Sequence, residues 1–435
     1  GRGFESGSSS HAVLDFDPDV QQVPGDPDPP NVDARSDLYA EGGDQHRGWF
    51  MSSLLCGIGM HNRAPFKSVA TYGWTIDENG QALSKSMGSK ISDEITGQLG
   101  AEIVRLWVAS VDFREDVVAS LPLLRRLADE IYRKLRNTFR FMLGALSETD
   151  PTTGLTHDFD PATDSVEFSA MQPIDQYILA RTAELTTKIR KAYEEFEFHR
   201  VYHLLNEFCN SELSAFYLDV LKDRLYTYPI KFKPGNAEQE RLYLARRSAQ
   251  TAIYKITDAL ARLTAPILSF TADEVYQSLP HTHGSVHLTL FPTPESLAPP
   301  MSVEDSAQWD GIFAMRDRVL ARLENLRTQK EIGKSLEARV EISFDDEAYK
   351  KSWEQFEPSL AELFNVSQVN LLLVPKTRTE IVPDLNVEPT SEPKCDRCWR
   401  HVPDVGQQEK YPTVCLRCAE ALDAIDFPPY AATNS

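Results

Sequence analysis

Near the carboxyl end, Cys395, Cys398, Cys415 and Cys418 stand in the pattern C-x2-C-x16-C-x2-C, and no other feature limits the local fold of the chain so sharply. Each CxxC pair closes into a tight knuckle that aims two thiolates at one point. Two knuckles supply the four soft ligands that tetrahedral Zn2+ prefers. Four protein ligands leave no position open for water, so the spacing predicts one structural zinc rather than a catalytic one. A pair of disulfides is the alternative. Six cysteines in 435 residues, four of them clustered, fit a metal site in a reducing cytoplasm better than a disulfide framework. So small a module has too little core to fold alone, and its folding is expected to depend on the metal. Arg397, Trp399, Arg400, His401 and Arg417 decorate the knuckles, as expected of a surface that touches RNA. Cys56 and Cys209 lie in apolar helical patterns and are expected to be buried bystanders.

Upstream of the knuckles, apolar residues recur mainly at helical spacing. Leu127, Ile131, Leu135, Phe139 and Met142 form one stripe, and Ile253, Ile256, Leu260, Leu263 and Ile267 a second. Leu204, Leu205, Phe208, Leu213, Phe216, Tyr217, Val220 and Leu221 form a third. Such stripes are the core-facing sides of helices, and between about residues 115 and 280 they predict a helical bundle. Pro266 ends one helix, and Thr271 with Glu274 reads as a capping box that opens the next. A further helix is expected from about Val303 to Thr328. Strands follow at 338–344 (ARVEISF) and 367–374 (SQVNLLLV), bracketing a helix, and then a polar linker from Lys376 to Lys394.

The first hundred residues are mixed. Residues 15–36, rich in Pro and Asp, read as an irregular surface loop. Gln45 to Met60 turns helical, Ser68 to Asp77 is strand-like, and two short helices after Ser92 break at Gly100. No apolar run approaches the ~20 residues that a membrane span needs. The net charge of −20 argues by itself against nucleic acid. Leu121 to Leu143 nevertheless holds six basic residues (Arg125, Arg126, Arg133, Lys134, Arg136, Arg140) against Asp129 and Glu130, so a local basic face can exist on an acidic chain.

Two segments have the make-up of nucleotide-handling turns. ALSKSMGS, Ala82 to Ser89, is a small cationic loop between a strand and a helix. Ser84, Ser86 and Gly88 let backbone approach a polyphosphate, and Lys85 can supply a point charge to departing pyrophosphate. YAEGGDQHRGWF, Tyr39 to Phe50, places Gly42, Gly43, Asp44, Gln45 and His46 between a strand and a helix, where nucleotides bind in parallel sheets. There Glu41 can pair with an ammonium group and Asp44 can accept from ribose hydroxyls.

In order, FESGSSSHAVL, EGGDQHRGWF, SKSMG, LWVAS, a helical region, CxxCW and CxRC resemble the isoleucyl-tRNA synthetases of bacterial type from Phe4 to Cys418. RNTFRF (136–141), FYLDVLKDR (216–224) and APILSFTADEVY (265–276) are similar to that family's anticodon-binding helices. The resemblance implies a mainly α protein with α/β parts. A C-terminal half of a Rossmann catalytic domain is expected at 1–112, a helical anticodon-binding domain at 113–290, a small α+β junction domain at 300–385 and a zinc module at 390–425. It implies a cytoplasmic ligase that uses ATP with Mg2+ and L-isoleucine to charge tRNA(Ile). Glu41, Gly43, Asp44, Gln45 and His46 would line the adenylate pocket, with Lys85, flanked by Ser84 and Ser86, on the phosphates. Arg133, Arg136, Arg140, Trp399 and Arg417 would meet tRNA.

Three departures qualify this. The family's KMSKS reads Ala82-Leu83-Ser84-Lys85-Ser86, which should slow activation without abolishing it. Its WFDSG reads Gly3 to Gly7, with GRG where a strand should begin. Its HIGH motif, the first half of the sheet and the editing domain have no counterpart here. The chain by itself is therefore expected not to form isoleucyl-adenylate, being an incomplete fragment, one half of a complementing pair, or a stand-alone tRNA-binding module.

Overall fold

The computed structural model describes residues 2–14, 35–82, 96–149, 156–280, 282–375 and 383–430. They fall into two compact units, residues 1–130 with 197–202, and residues 131–196 with 203–435.

In the first unit, helices α1 (Arg2–Gly7) and α2 (Ser9–Leu14) lead to a parallel strand pair. Arg2 and Gly3, where the resemblance implies that a strand begins, lie in helix α1. The hydroxyls of Ser6 and Ser8 donate to the carbonyls of Gly3 and Glu5 three residues back. Strand β1 (Ser36–Gly42) pairs with β2 (Phe66–Tyr72) in the register Ser36↔Phe66 to Gly42↔Tyr72. Parallel neighbours need a crossover. A 3-10 turn at Gly43–Arg47 followed by α3 (Trp49–His61) supplies it. Tyr39 fastens α3 to the pair: its ring stacks on Trp49 at 4.3 Å and its hydroxyl lies 3.0 Å from the buried Ser53 Oγ. Trp49 Nε1 in turn donates to Ser6 O at 3.0 Å, joining α1 to α3.

A second short pair, β3 (Thr75–Ile76) with β4 (Val117–Val118), is also parallel. Between β2 and β3 the chain passes so near residues 115–116 that a Cβ on Gly73 would lie 2.3 Å from Glu115 O. Helix α4 (Ala101–Ser110) buries Ile103, Leu106, Trp107 and Ala109. Gly100, at φ +87°, separates it from the helical residues 96–99, as the sequence predicts. α5 (Leu121–Leu127) follows.

The second unit opens with α6 (Arg133–Ala145) and an antiparallel strand pair, β5 (Ser147–Thr149) with β6 (Thr156–Asp158). Its helices are α7 (Pro173–Glu194), α8 (Phe198–Glu207, of which residues 198–202 group with the first unit), α9 (Leu218–Thr227) and α10 (Ala237–Thr264). The apolar stripes are its core: Leu213, Tyr217, Leu221, Ile253, Ile256 and Leu263 are fully buried. The third stripe passes through a π-helical stretch, Phe208–Tyr217, between α8 and α9. Asn236 caps α10 by accepting from the Gln239 N–H at 3.1 Å. The expected capping box at Thr271 is not formed. Helix α11 (Ser269–Gln277) begins two residues ahead of that box, and the Thr271 hydroxyl lies 3.0 Å from Tyr132 Oη. After α12 (Pro294–Leu297) comes α13 (Val303–Thr328), the predicted span, capped by Ser302 Oγ accepting from the Asp305 N–H at 3.0 Å.

Strand β7 (Ala338–Phe344) lies parallel to β8 (Gln368–Leu373), linked through α14 (Glu347–Glu354) and α15 (Glu357–Leu363). The polar stretch read as a linker contains a third strand, β9 (Asp384–Pro389), antiparallel to β7. Val387 and Leu385 fall opposite Val340 and Ile342, so β9 closes the free edge of a strand whose one face is fully buried. Helix α16 (Leu416–Ala424) completes the described chain. No helix among the described residues is long and apolar enough to cross a membrane.

Candidate functional site

Two places gather the residues singled out above. In the first unit, Glu41 sits at the carboxyl end of β1, half-buried, with Gly43 and Asp44 exposed just beyond it. The parallel register sets Tyr72 beside it. The Tyr72 hydroxyl donates to Glu41 Oε2 at 2.8 Å, and the Gly42 N–H approaches the same oxygen at 3.3 Å. That bond to a carboxylate pushes the Tyr72 phenol above its ordinary range, so Tyr72 stays a donor. Sequence reasoning missed Tyr72; the strand-like run SVATYGWTID held the signal, and only the register against β1 reveals it. Asp44 Oδ2 accepts from Gln45 Nε2 at 3.2 Å. Gln45 Oε1 accepts from the Trp49 N–H at 3.0 Å, satisfying an open donor at the start of α3. A Cβ on Gly48 would stand 2.7 Å from that Oε1, so a larger residue there would displace the Gln45 side chain from its bond to Trp49. His46 meets Phe50 edge-on at 5.6 Å. Ser84, Lys85 and Ser86 lie outside the described residues; Ala82 bridges to Ile76.

In the second unit, the ligand atoms of Cys395, Cys398, Cys415 and Cys418 all lie within 4.8 Å of one another, and Cys398 Sγ is 3.8 Å from Cys415 Sγ. All four are free thiols, which removes the disulfide alternative. Tetrahedral zinc with Zn–S bonds of about 2.3 Å sets its sulfurs about 3.8 Å apart, so number, softness and spacing all fit Zn2+. The first knuckle is closed by Trp399 N–H donating to Cys395 O at 2.8 Å and Cys395 N–H donating to Arg400 O at 2.9 Å, with Trp399 left-handed at φ +64°. The second places Cys415 at the N-cap of α16 and Cys418 in its first turn, where the helix dipole favours thiolates. Tyr411, Val414, Ala419 and Leu422 pack around the sulfurs. Of the other cysteines, Cys209 is buried, which pushes its thiol up to about 12, whereas Cys56 is only half-buried.

The knuckle arginines divide from the expectation of an RNA-facing surface. Arg417 donates to both carboxylate oxygens of Asp223 on α9, at 2.7 and 2.9 Å, and its guanidinium lies 5.0 Å above the Tyr228 ring. Arg400 pairs with the same carboxylate at 2.9 Å, and Arg397 donates to the carbonyls of Thr227 and Tyr226. Arg417 is thus a largely buried internal partner and not an exposed contact, because a carboxylate distant in sequence claims it. Burial would push the Asp223 carboxyl up, but Arg417 and Arg400 outweigh it and hold the group at about 2. The next residue, Arg224, is fully buried between Asp175 on α7, at 2.9 Å, and Glu362 on α15, at 3.0 Å.

Trp399 keeps an outward role: 56% exposed, its ring carries Lys334 Nζ at 5.4 Å and Lys394 Nζ at 5.7 Å. Beside it, a cleft of about 450 Å3 is lined in part by Lys222, Arg316, Asn365, Arg397 and Arg400. Arg133, Arg136 and Arg140 are exposed along α6.

Three family models match in tandem: "tRNA synthetases class I (I, L, M and V)" over residues 3–120, "Anticodon-binding domain of tRNA ligase" over 175–342, and "Zinc finger found in FPG and IleRS" over 392–421. The isoleucine–tRNA ligase of Syntrophotalea carbinolica is 41% identical over 428 residues, 96% of this chain and 42% of that protein. The ligase of the same name from Symbiobacterium thermophilum is 40% identical over 441 residues, 98% of this chain and 43% of that protein. A solved leucyl-tRNA synthetase of Agrobacterium radiobacter K84, in a ternary complex with tRNA, matches 85% of this chain and 41% of its own at 14% identity and TM-score 0.45. The chain spans about two fifths of the length of the curated relatives it matches.

Proposed function

We propose that the protein, which belongs to the class I tRNA synthetases and is similar along nearly its whole length to isoleucine–tRNA ligases, takes part in the ATP-driven joining of L-isoleucine to tRNA(Ile). In that reaction an oxygen of the isoleucine carboxylate bonds to the α-phosphorus of ATP as the bond to pyrophosphate breaks. The acyl group then passes to a hydroxyl of the terminal ribose of tRNA as its bond to the adenylate oxygen breaks and AMP leaves. Little covalent chemistry falls to the protein, so positioning and charge carry the rate, with Mg2+ on the phosphates.

The observation that carries this reading is the arrangement at the end of β1. Glu41 has one oxygen engaged by Tyr72 and the Gly42 N–H. Its other oxygen can then accept from the substrate ammonium, while Asp44 accepts from ribose hydroxyls and His46 borders the pocket. Lys85, with Ser84 and Ser86, would steady the phosphates; Ala82 leaves that loop one cation short. Farther along the chain, exposed Trp399 with Lys334 and Lys394 at its ring offers an aromatic and cationic surface to tRNA, and Arg133, Arg136 and Arg140 offer charge to phosphates. The zinc holds the knuckles in shape.

Filter binding of labelled tRNA tests the reading. The chain is expected to retain tRNA(Ile) in preference to an unrelated tRNA, with an affinity that falls steeply as salt rises; equal retention of both would refute it. Ala82 favours a second reading, a tRNA-binding module without catalysis. Isoleucine-dependent exchange of pyrophosphate into ATP supports the ligase, and selective tRNA(Ile) binding without exchange supports the module.

A further inference from the structure

Three arginines of the cysteine module, Arg397, Arg400 and Arg417, converge on one stretch of the helical bundle, residues 223–228. Their positions in the sequence explain why they arrive together. Arg397 stands inside the first CxxC, Arg400 two residues after it, and Arg417 inside the second. Their backbone directions are therefore set by the two knuckles that hold the metal. Arg400, Arg417 and Cys415 line one recess of about 330 Å3, so two of the arginines lie alongside one of the four cysteines as well as against α9. The carboxylate that receives two of them, Asp223, comes from outside the module, and the Thr227 hydroxyl donates to it at 2.7 Å.

We propose that Asp223 is a positioning residue for the zinc site: through Arg400 and Arg417 it sets the affinity of the four cysteines for the metal, and zinc in return fixes residues 223–228 of the bundle.

The reasoning is a linkage. Without metal, four thiols and so small a core do not hold the two knuckles, so the arginines converge on Asp223 only in the metal-bound form. Whatever the docking contributes in free energy is then added to zinc binding, and zinc binding is added to docking by the same factor. The docking is more than a surface ion pair. Asp223 and its two arginines are less than a fifth exposed, and removing Asp223 leaves both guanidinium groups without their carboxylate in a desolvated place. Further contacts along the same face, Lys233 with Asp423 at 3.0 Å and Gln239 Nε2 with Glu420 O at 3.2 Å, hold α16 to the start of α10. Residue 223 also adjoins Arg224, whose buried pairs with Asp175 and Glu362 reach α7 and α15. A disturbance at 223 thus has a path into the bundle.

The test uses the full chain loaded with one zinc. Competition with a chromophoric chelator measures zinc affinity for the wild type, Asp223→Asn, Arg400→Gln and, as a control, Glu409→Gln, which is exposed and apart from these contacts. Asp223→Asn and Arg400→Gln are each expected to weaken zinc about 10- to 100-fold, the usual effect of removing a partner that orients a metal ligand set, with Glu409→Gln unchanged. Amide exchange on the wild type gives the reciprocal measurement and needs no variant: chelation should speed exchange at 223–228 as well as at 390–425. Circular dichroism confirms that the variants keep the bundle. Zinc affinity within twofold of wild type in both Asp223→Asn and Arg400→Gln overturns the proposal. So does unchanged exchange at 223–228 after zinc is removed.

Discussion

The turn after β1 and the cysteine knuckles are both short loops that carry chemistry, yet they hold their side chains in opposite ways. At the first, Glu41, Asp44 and His46 stand at an open strand end, with Tyr72 and Gln45 as local supports. At the second, the sulfurs are buried or nearly so, and the surrounding arginines are tied to a helix whose residues lie some 170 to 200 positions earlier. The contrast fits the proposed roles. A turn that receives substrate must leave its polar atoms unsatisfied and accessible, whereas a structural metal site gains by closing every position and anchoring its outer layer.

The strongest way to break the comparison is to remove one sulfur. Cys398→Ser should lower the zinc content from one per chain to near zero and open residues 390–425 to proteolysis. The cost is most of the roughly 10 kcal/mol or more that such a site supplies. The β1–β2 unit should keep its melting behaviour. Full zinc retention in the variant would show that the site does not need closure. Next in size is a pair of glycines in the first unit. Gly73→Ala drives a Cβ into Glu115 backbone and should destabilise that unit by about 3 kcal/mol, while Gly43→Ala meets nothing within 4 Å and should stay within about 0.5 kcal/mol. Denaturant midpoints distinguish them, and equal shifts would contradict the contrast between a packed crossing and an open turn.

The smallest effect is acid dependence at the knuckle. Asp223 is held at about 2 against an ordinary 3.8 while the knuckles are closed, so its contribution to folding is complete only above pH of about 4 and is lost as acid protonates it or strips the zinc that brings Arg400 and Arg417 to it. The linkage is worth about 2 kcal/mol. An acid titration of stability should therefore be flatter in Asp223→Asn than in the wild type across that window. Identical slopes would mean that the carboxylate is not paired in solution.

What the sequence made legible follows from range. The cysteine spacing, the span Val303–Thr328 and the strands at 338–344 and 367–374 are local patterns, and each reappears in the structure. So do the strand, turn and helix around EGGDQHRGWF. The readings that shifted depend on partners far along the chain. β9 is polar enough to pass for a linker, and only the open edge of β7 makes it a strand. The knuckle arginines look like an RNA-facing cluster until Asp223, from a helix of the bundle, is found among them. Thr271 follows the capping pattern, yet the helix has already begun at Ser269 and its hydroxyl lies beside Tyr132.

β9 carries one more consequence. It ends at Pro389, so only five residues separate the sheet from Cys395. Fully extended, such a leash reaches about 20 Å. A knuckle that has shed its metal and let go of Asp223 still wanders within that radius, at an effective concentration in the millimolar range relative to its own berth. Redocking on Asp223 is then a matter of recapture rather than search, and its rate should not depend on how dilute the protein is.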